Sequence, residues 1–173
     1  NYTYAEATLS QKSPDFIGSH MRCLEFLGGA PKALVPDPLK SGVTTSCRYE
    51  PMPQRTYAEM AAHYQTVVLP ARPRKPKDKA KVEVAVQIAE RWILARLRNE
   101  RFHSLVALNQ RIRELLEDLN SRPMKTYGGK SRRDLFVALD KLALTPLPAT
   151  RFVHCETKLA KVNIDYHIEQ DGH

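Results

Sequence analysis

Between Pro70 and Lys81 the chain changes character, and that break limits what the rest can become. Pro70, Pro73 and Pro76 punctuate a run of Arg72, Arg74, Lys75, Lys77, Lys79 and Lys81 that only Asp78 opposes. Each proline fixes its own φ, lacks an N–H and biases the preceding residue away from helix, so no helix runs through the first part of this segment. A long helix is expected from near Lys79 to about Asn99, because Val82, Ala85, Val86, Ala89, Ile93 and Leu97 form one apolar stripe. Upstream of the break the apolar runs are short, and downstream they are helical. A chain divided in this way fits an α/β fold in which short strands and helices come first and longer helices follow.

Upstream, residues 1–8 read as a strand, with Tyr2 and Tyr4 suited to a half-buried extended segment. Phe16, Ile17, Met21, Leu24 and Leu27 then mark a helix from about Pro14 to Leu27, stopped by Gly28-Gly29. Ala33, Leu34 and Val35 read as a buried strand ending in the turn Pro36-Asp37-Pro38. Residues 40–55 look like loop, a helix fits Tyr57 to Tyr64 with Thr56 as N-cap, and Thr66 to Leu69 read as another strand. Downstream, Ser104 can cap a helix carrying Leu105, Leu108, Ile112, Leu115 and Leu119, which ends at Asn120-Ser121-Arg122-Pro123. A short helix around Ser131 to Asp140 follows, and Pro146-Leu147-Pro148 reads as a linker. Val162, Ile164, Tyr166 and Ile168 alternate with polar residues, as in a strand that opens a truncated β-domain.

The balance of charge narrows the function. Among 173 residues Lys plus Arg number 27 and Asp plus Glu 19, a net charge of +8 that favours polyanionic partners, nucleic acid first. A membrane surface is the weaker candidate, since a proline-broken run is no amphipathic helix with a large apolar face. No stretch approaches the roughly 18 apolar residues that span a bilayer, and no signal segment opens the chain. Cys23, Cys47 and Cys155 are odd in number and far apart, and the histidines are equally scattered. Neither supports a zinc site or a disulfide framework, and a reducing cytoplasm suits them. The first residue is Asn1 and not Met, so a processed chain or a piece of a longer one is expected.

Two carboxylates stand out by position. Asp37 follows an apolar strand, and Glu83 opens the long helix just after the cationic run, at the edge of its apolar stripe. Taken singly, an Asp between prolines is commonly a turn residue and a Glu in a first helical turn commonly complements the helix dipole. Their order gives the sharper reading: strand-end Asp, cationic loop, helix-start Glu. If the helix packs on the sheet, the two carboxylates converge and could hold hard divalent cations, while the cations draw in phosphates irrespective of base sequence.

The segment Lys77-Asp78-Lys79-Ala80-Lys81-Val82-Glu83, with Gln87, Glu90, Arg91 and Trp92, strongly resembles bacterial insertion-sequence transposases of the IstA type. Leu34 to Val43 looks like the region carrying that family's second catalytic Asp, and Asn120-Ser121-Arg122-Pro123 is similar to the end of a late helix in the integrase superfamily. The resemblance implies an RNase H-like core with an Asp-Asp-Glu site holding two Mg²⁺ or Mn²⁺ ions. It makes Asp37 the second carboxylate and Glu83 the third, and Lys40, Lys79 and Lys81 DNA-backbone contacts. Arg72, Arg74, Lys75 and Lys77 join them as candidate DNA contacts from the cationic run. The family's first Asp would lie upstream of Asn1, so the chain is expected to be a C-terminal part that does not join DNA strands alone. The family usually has Asn after the second Asp, where this chain has Pro38.

The division implied is an RNase H-like integrase core lacking its first strands over residues 1–123, a helical linker over 124–148 and a truncated β-barrel-like domain over 149–173. Implied partners are element-end and target DNA, an IstB-like ATPase helper and further copies of the enzyme in a homo-multimer in the bacterial cytoplasm, with no membrane. The alternative class is a non-catalytic DNA-binding remnant that keeps the basic surface and loses the metal.

Overall fold

The structure, a computed structural model, describes residues 2–36, 52–69 and 84–155. Within them helix α1 (Ser13–Leu27) leads to strand β1 (Ala33–Leu34), and helix α2 (Met52–His63) leads to strand β2 (Val67–Val68). Helix α3 covers residues 84–97 and contains a π-helical segment, Glu90–Leu94. Helix α4 (Leu105–Ser121) follows, then a 3₁₀ turn at Lys125–Tyr127 and helix α5 (Arg132–Leu135). The chain winds on from α5 through a π turn, Phe136–Asp140, and a 3₁₀ turn, Lys141–Ala143. The two strands pair in parallel, Ala33 with Val67 and Leu34 with Val68, so the class is helical with a small parallel sheet, as an α/β reading requires.

The cores form around two helix pairs. In the first, Ile17, Met21 and Leu24 of α1 meet Tyr57 and Met60 of α2 together with Ala30 and Tyr64, and Leu34 and Val68 of the sheet pack against them. The expected stop at Gly28 is real: its φ of 73° is left-handed, and its N–H bonds back to Leu24 and Glu25. In the second, Ile93 of α3 packs on Ile112, Leu115 and Leu116 of α4. Ser104 caps α4 by accepting from the Ala107 N–H at 3.1 Å, and a Ser131–Asp134 capping box opens α5.

Three expectations change. Residues 2–8 are extended and keep a two-residue alternation, with Tyr2 and Tyr4 against Phe26 of α1 and Ala5 and Ala7 against the second core. They pair with no strand among the described residues, because side-chain amides of α4 take the backbone bonds instead. The second helix begins at Met52 and not near Tyr57, so Thr56 lies inside it and is no N-cap; Pro53 sits in the first turn, where the missing N–H costs nothing. The α3 stripe is only partly used. Ala89, Ile93 and Leu97 turn inward, whereas Ala85 and Val86 are exposed. The pairing of α3 with α4 runs from Glu100–Arg111 through Arg96–Asp118 to Trp92–Arg122, where α4 ends, so the first turn of α3 has outrun its partner.

The stretch read as a linker lies on the first core, where Leu147 and Phe152 pack. Thr145 exchanges two backbone hydrogen bonds of 2.9 Å with Ala30. Val162, Ile164, Tyr166 and Ile168, expected as a strand, lie outside the described residues.

Candidate functional site

Asp37, Lys40, Arg72, Arg74, Lys75, Lys77, Lys79, Lys81 and Glu83 lie outside the described residues. What the structure places is the ground on either side of them. Because β1 and β2 are parallel, Pro36, the residue before Asp37, and Leu69, the residue before the cationic segment, leave the sheet at the same end. The Leu69 N–H donates to the Leu34 carbonyl at 2.8 Å and extends the pairing to that edge. The carboxyl ends of parallel strands are where open α/β sheets bind their ligands. Pro36 and Leu69 thus stand at one end of the sheet, each one residue before a segment that the sequence reading assigns to the site.

A second convergence joins two of the sequence motifs. Trp92 lies in the π segment of α3, and the extra residue of a π turn re-aims the side chains around it. Arg96, one turn on, lies 3.9 Å from the centre of the indole ring, and Arg122, just past α4, lies 4.3 Å from it. The Trp92 motif and the Asn120-Ser121-Arg122-Pro123 motif thus meet although they are far apart in sequence. Arg96 is also paired with Asp118 at 2.8 Å. Arg132, from α5, donates to the Leu119 carbonyl at 3.2 Å, and burial and the charge of nearby Arg122 both lower its affinity for its proton. The Trp92 Nε1 is buried with no hydrogen-bond partner among the described residues.

The N-terminal segment is held by two asparagines that the sequence reading did not single out as ligands of backbone. The Thr3 N–H donates to the Asn120 side-chain oxygen at 3.0 Å, and the Asn120 amide donates back to the Thr3 carbonyl at 2.8 Å. Asn109 does the same with Ala7, at 2.7 and 2.9 Å. From Asn109 to Asn120 a helix rises about 16 Å, and from Thr3 to Ala7 an extended chain rises about 13 Å, so one helix face can clamp both residues. The signal was available: two Asn three turns apart on the apolar side of a helix.

Beside this clamp a groove of about 730 Å³ opens between the N-terminal segment, α1 and α4. Its main polar groups answer one another. Arg22 forms a forked pair with Glu6, both contacts at 2.7 Å, and the Tyr4 hydroxyl donates to Glu6 at 2.8 Å. Burial opposes ionisation of Glu6, but Arg22, Ser19 and Tyr4 outweigh it and hold the carboxyl below the usual range. Tyr4 is pushed far up by burial and by Glu6. A closed network of this kind stabilises the fold and leaves no group poised for proton transfer.

Elsewhere the described residues carry little chemistry. No group of three His, Cys, Asp or Glu residues among them could hold a metal ion, and Cys23 and Cys155 are free. Burial pushes the Cys23 thiol up to about 11, which makes it a poor nucleophile. No helix among them is long and apolar enough to cross a membrane.

No protein-family model matches the chain. Individual proteins do. The chain is 56% identical, over 99% of its length, to a Sinorhizobium fredii protein named "Putative transposase y4bL/y4kJ/y4tB", of which it covers 33%. It is 51% identical, over 100% of its length, to "Putative transposase for insertion sequence IS408" of Burkholderia multivorans, again covering 33%. At 27% identity over 89% of the chain it is similar to "Transposase for insertion sequence element IS21" of Pseudomonas aeruginosa, covering 39% of that protein. The chain spans about a third of the length of these relatives. Over nearly all of its own length, then, it is similar to part of several proteins named as putative transposases, two of them for insertion sequences.

Proposed function

We propose that the chain is a segment of an insertion-sequence transposase of the IstA type and works in metal-dependent DNA cleavage and strand transfer. The observation that carries this is identity of 48–56% across 99–100% of the chain with four proteins that bear transposase names. The parallel β1–β2 pair, whose shared edge leads toward Asp37 and toward the cationic run, supports an RNase H-like integrase core over residues 1–123. A helical linker over 124–148 and the opening of a small β-domain over 149–173 complete the reading.

In this reading Asp37 and Glu83 are metal ligands and share two Mg²⁺ or Mn²⁺ ions with a further carboxylate. Their hard anionic oxygens suit such ions, and donors of that kind are what the order of residues offers. The ions, when bound, activate the attacking oxygen and stabilise the leaving one at a phosphodiester. Lys40, Arg72, Arg74, Lys75, Lys77, Lys79 and Lys81 hold the DNA backbone against the site through a sequence-independent attraction. Element ends and target DNA are the substrates, with an IstB-like ATPase helper, a homo-multimer as the working form and the bacterial cytoplasm as the setting.

The purified chain is expected to bind duplex DNA with strong salt dependence and to form no strand-transfer product with Mg²⁺ or Mn²⁺. Failure to bind duplex DNA at low salt would overturn the reading. Robust product from this chain, abolished by Glu83→Gln, would overturn the requirement for a further carboxylate.

A further inference from the structure

We propose that Arg122 and Arg132, gathered at the end of α4 beside Trp92, form a binding site for DNA-backbone phosphate in addition to the residues of the cationic run. The proposal rests on the transposase reading for its ligand and on geometry for its place. Two guanidiniums meet there, and a third, that of Arg132, reaches the same helix end through the Leu119 carbonyl. Arg96 and Arg122 both lie over one indole ring, at 3.9 and 4.3 Å from its centre, so they are no further apart than those two distances together. Arg132 is near enough to Arg122 for their charges to repel.

The carboxylates at hand do not balance them. Asp118 is engaged by Arg96, and Glu117 pairs with Arg133. The carboxyl end of α4 accounts for Arg132, which donates to the Leu119 carbonyl. It does not account for Arg122, which is exposed and makes no hydrogen bond or ion pair among the described residues. Stacking on Trp92 holds that guanidinium in place and leaves its N–H donors free. A planar, pre-positioned fork of donors is what binds phosphate oxygens well. Phosphate contacts of this kind position DNA without reading its bases.

Trp92 is the single tryptophan of the chain, so its emission reports on this site alone. The test uses the whole chain, a labelled duplex without any terminal repeat, and two readouts: anisotropy across a salt series and Trp92 emission. Duplex addition is expected to change Trp92 emission in the unmodified chain. Replacing Arg122→Gln and Arg132→Gln together is expected to weaken binding about tenfold at about 0.1 M salt and to lower the salt slope by about 2. Arg122→Lys keeps the charge without the fork and is expected to fall between. If anisotropy reports binding while Trp92 emission of the unmodified chain does not move, the proposal is overturned, and that result needs no variant to fold. It is equally overturned if the double variant binds with unchanged affinity and slope while Lys75→Gln, Lys77→Gln, Lys79→Gln and Lys81→Gln together abolish binding; the transposase reading would then survive. A chain that binds no duplex at all overturns both.

Discussion

Asn120 shows how much a single side chain decides in this fold. It is 1% exposed and satisfies both backbone groups of Thr3, so Asn120→Ala leaves a buried donor and acceptor to find new partners. A loss of about 2–3 kcal/mol is expected in urea unfolding, against about 1–2 kcal/mol for the less buried Asn109→Ala. Both variants should also speed amide exchange at their own backbone partner, Thr3 or Ala7. Two of the described residues that contribute to the acid limb of stability are His20 and Glu6. His20 is half-buried against Phe16 and Tyr57, and that burial lowers its proton affinity although its Nδ1 is bonded to the Phe16 carbonyl at 2.9 Å. Its contribution is whole above the ordinary histidine value of about 6.5 and is lost as pH falls through the depressed folded value. Glu6, also depressed, follows the same sign lower down: its contribution is whole above the ordinary carboxylate range and is lost as pH falls through the folded value. Unfolding measured across acid pH should therefore weaken in two steps, and His20→Gln should remove the first. Neither residue's part was legible in sequence, where Glu6 is an acid in an extended segment and His20 one of several scattered histidines. Their roles come from Arg22 and Tyr57, and neither pairing follows from a local pattern.

At the scale of elements, periodicity served where both faces of a segment stayed local. Helix α1 and its Gly28 stop, the β1 and β2 positions and the Ser104-capped α4 all stand where stripes and caps put them. The misses share a cause, which is that the deciding partner is distant. Residues 2–8 alternate as a strand does, yet α4 supplies the partners through Asn109 and Asn120. The first turn of α3 carries the stripe but extends past the end of α4. Gly29 offers an element-scale test. A Cβ built there would lie 2.7 Å from the Leu144 Cβ and 2.9 Å from the Thr145 carbonyl. Gly29→Ala should therefore lift residues 144–145 off Ala30 and expose the chain to protease near Thr145, with little change in α1 itself, as circular dichroism would check.

At the scale of the molecule, an aromatic stack links α1, which carries part of the first core, to the turn that follows α5. Tyr2 lies between Phe26 of α1 and Phe136 beside α5, with ring centres 5.1 and 4.4 Å away. If that stack and the Asn clamps couple the cores, Trp92 emission, which reports on the second, and circular dichroism, which sees both, should share one unfolding midpoint. Tyr2→Ala combined with Asn120→Ala should split them. The candidate site rests on sequence alone, on the order of Asp37, the cationic run and Glu83, all outside the described residues; the structure adds that Pro36 and Leu69 leave the parallel pair at one end. What pattern alone could not give was the meeting of Trp92 with Arg122, since it needs the antiparallel packing of α3 on α4 and the π turn that re-aims the indole.

The transposase assignment is tested most directly by strand transfer in a protein of the relatives' full length that contains this chain. With Mg²⁺, Asp37→Asn and Glu83→Gln should each abolish joined product while leaving DNA affinity within about twofold of the unmodified protein, because a metal carboxylate contributes to the chemical step and not to holding the backbone. Joined product at the unmodified rate from either variant would contradict the account.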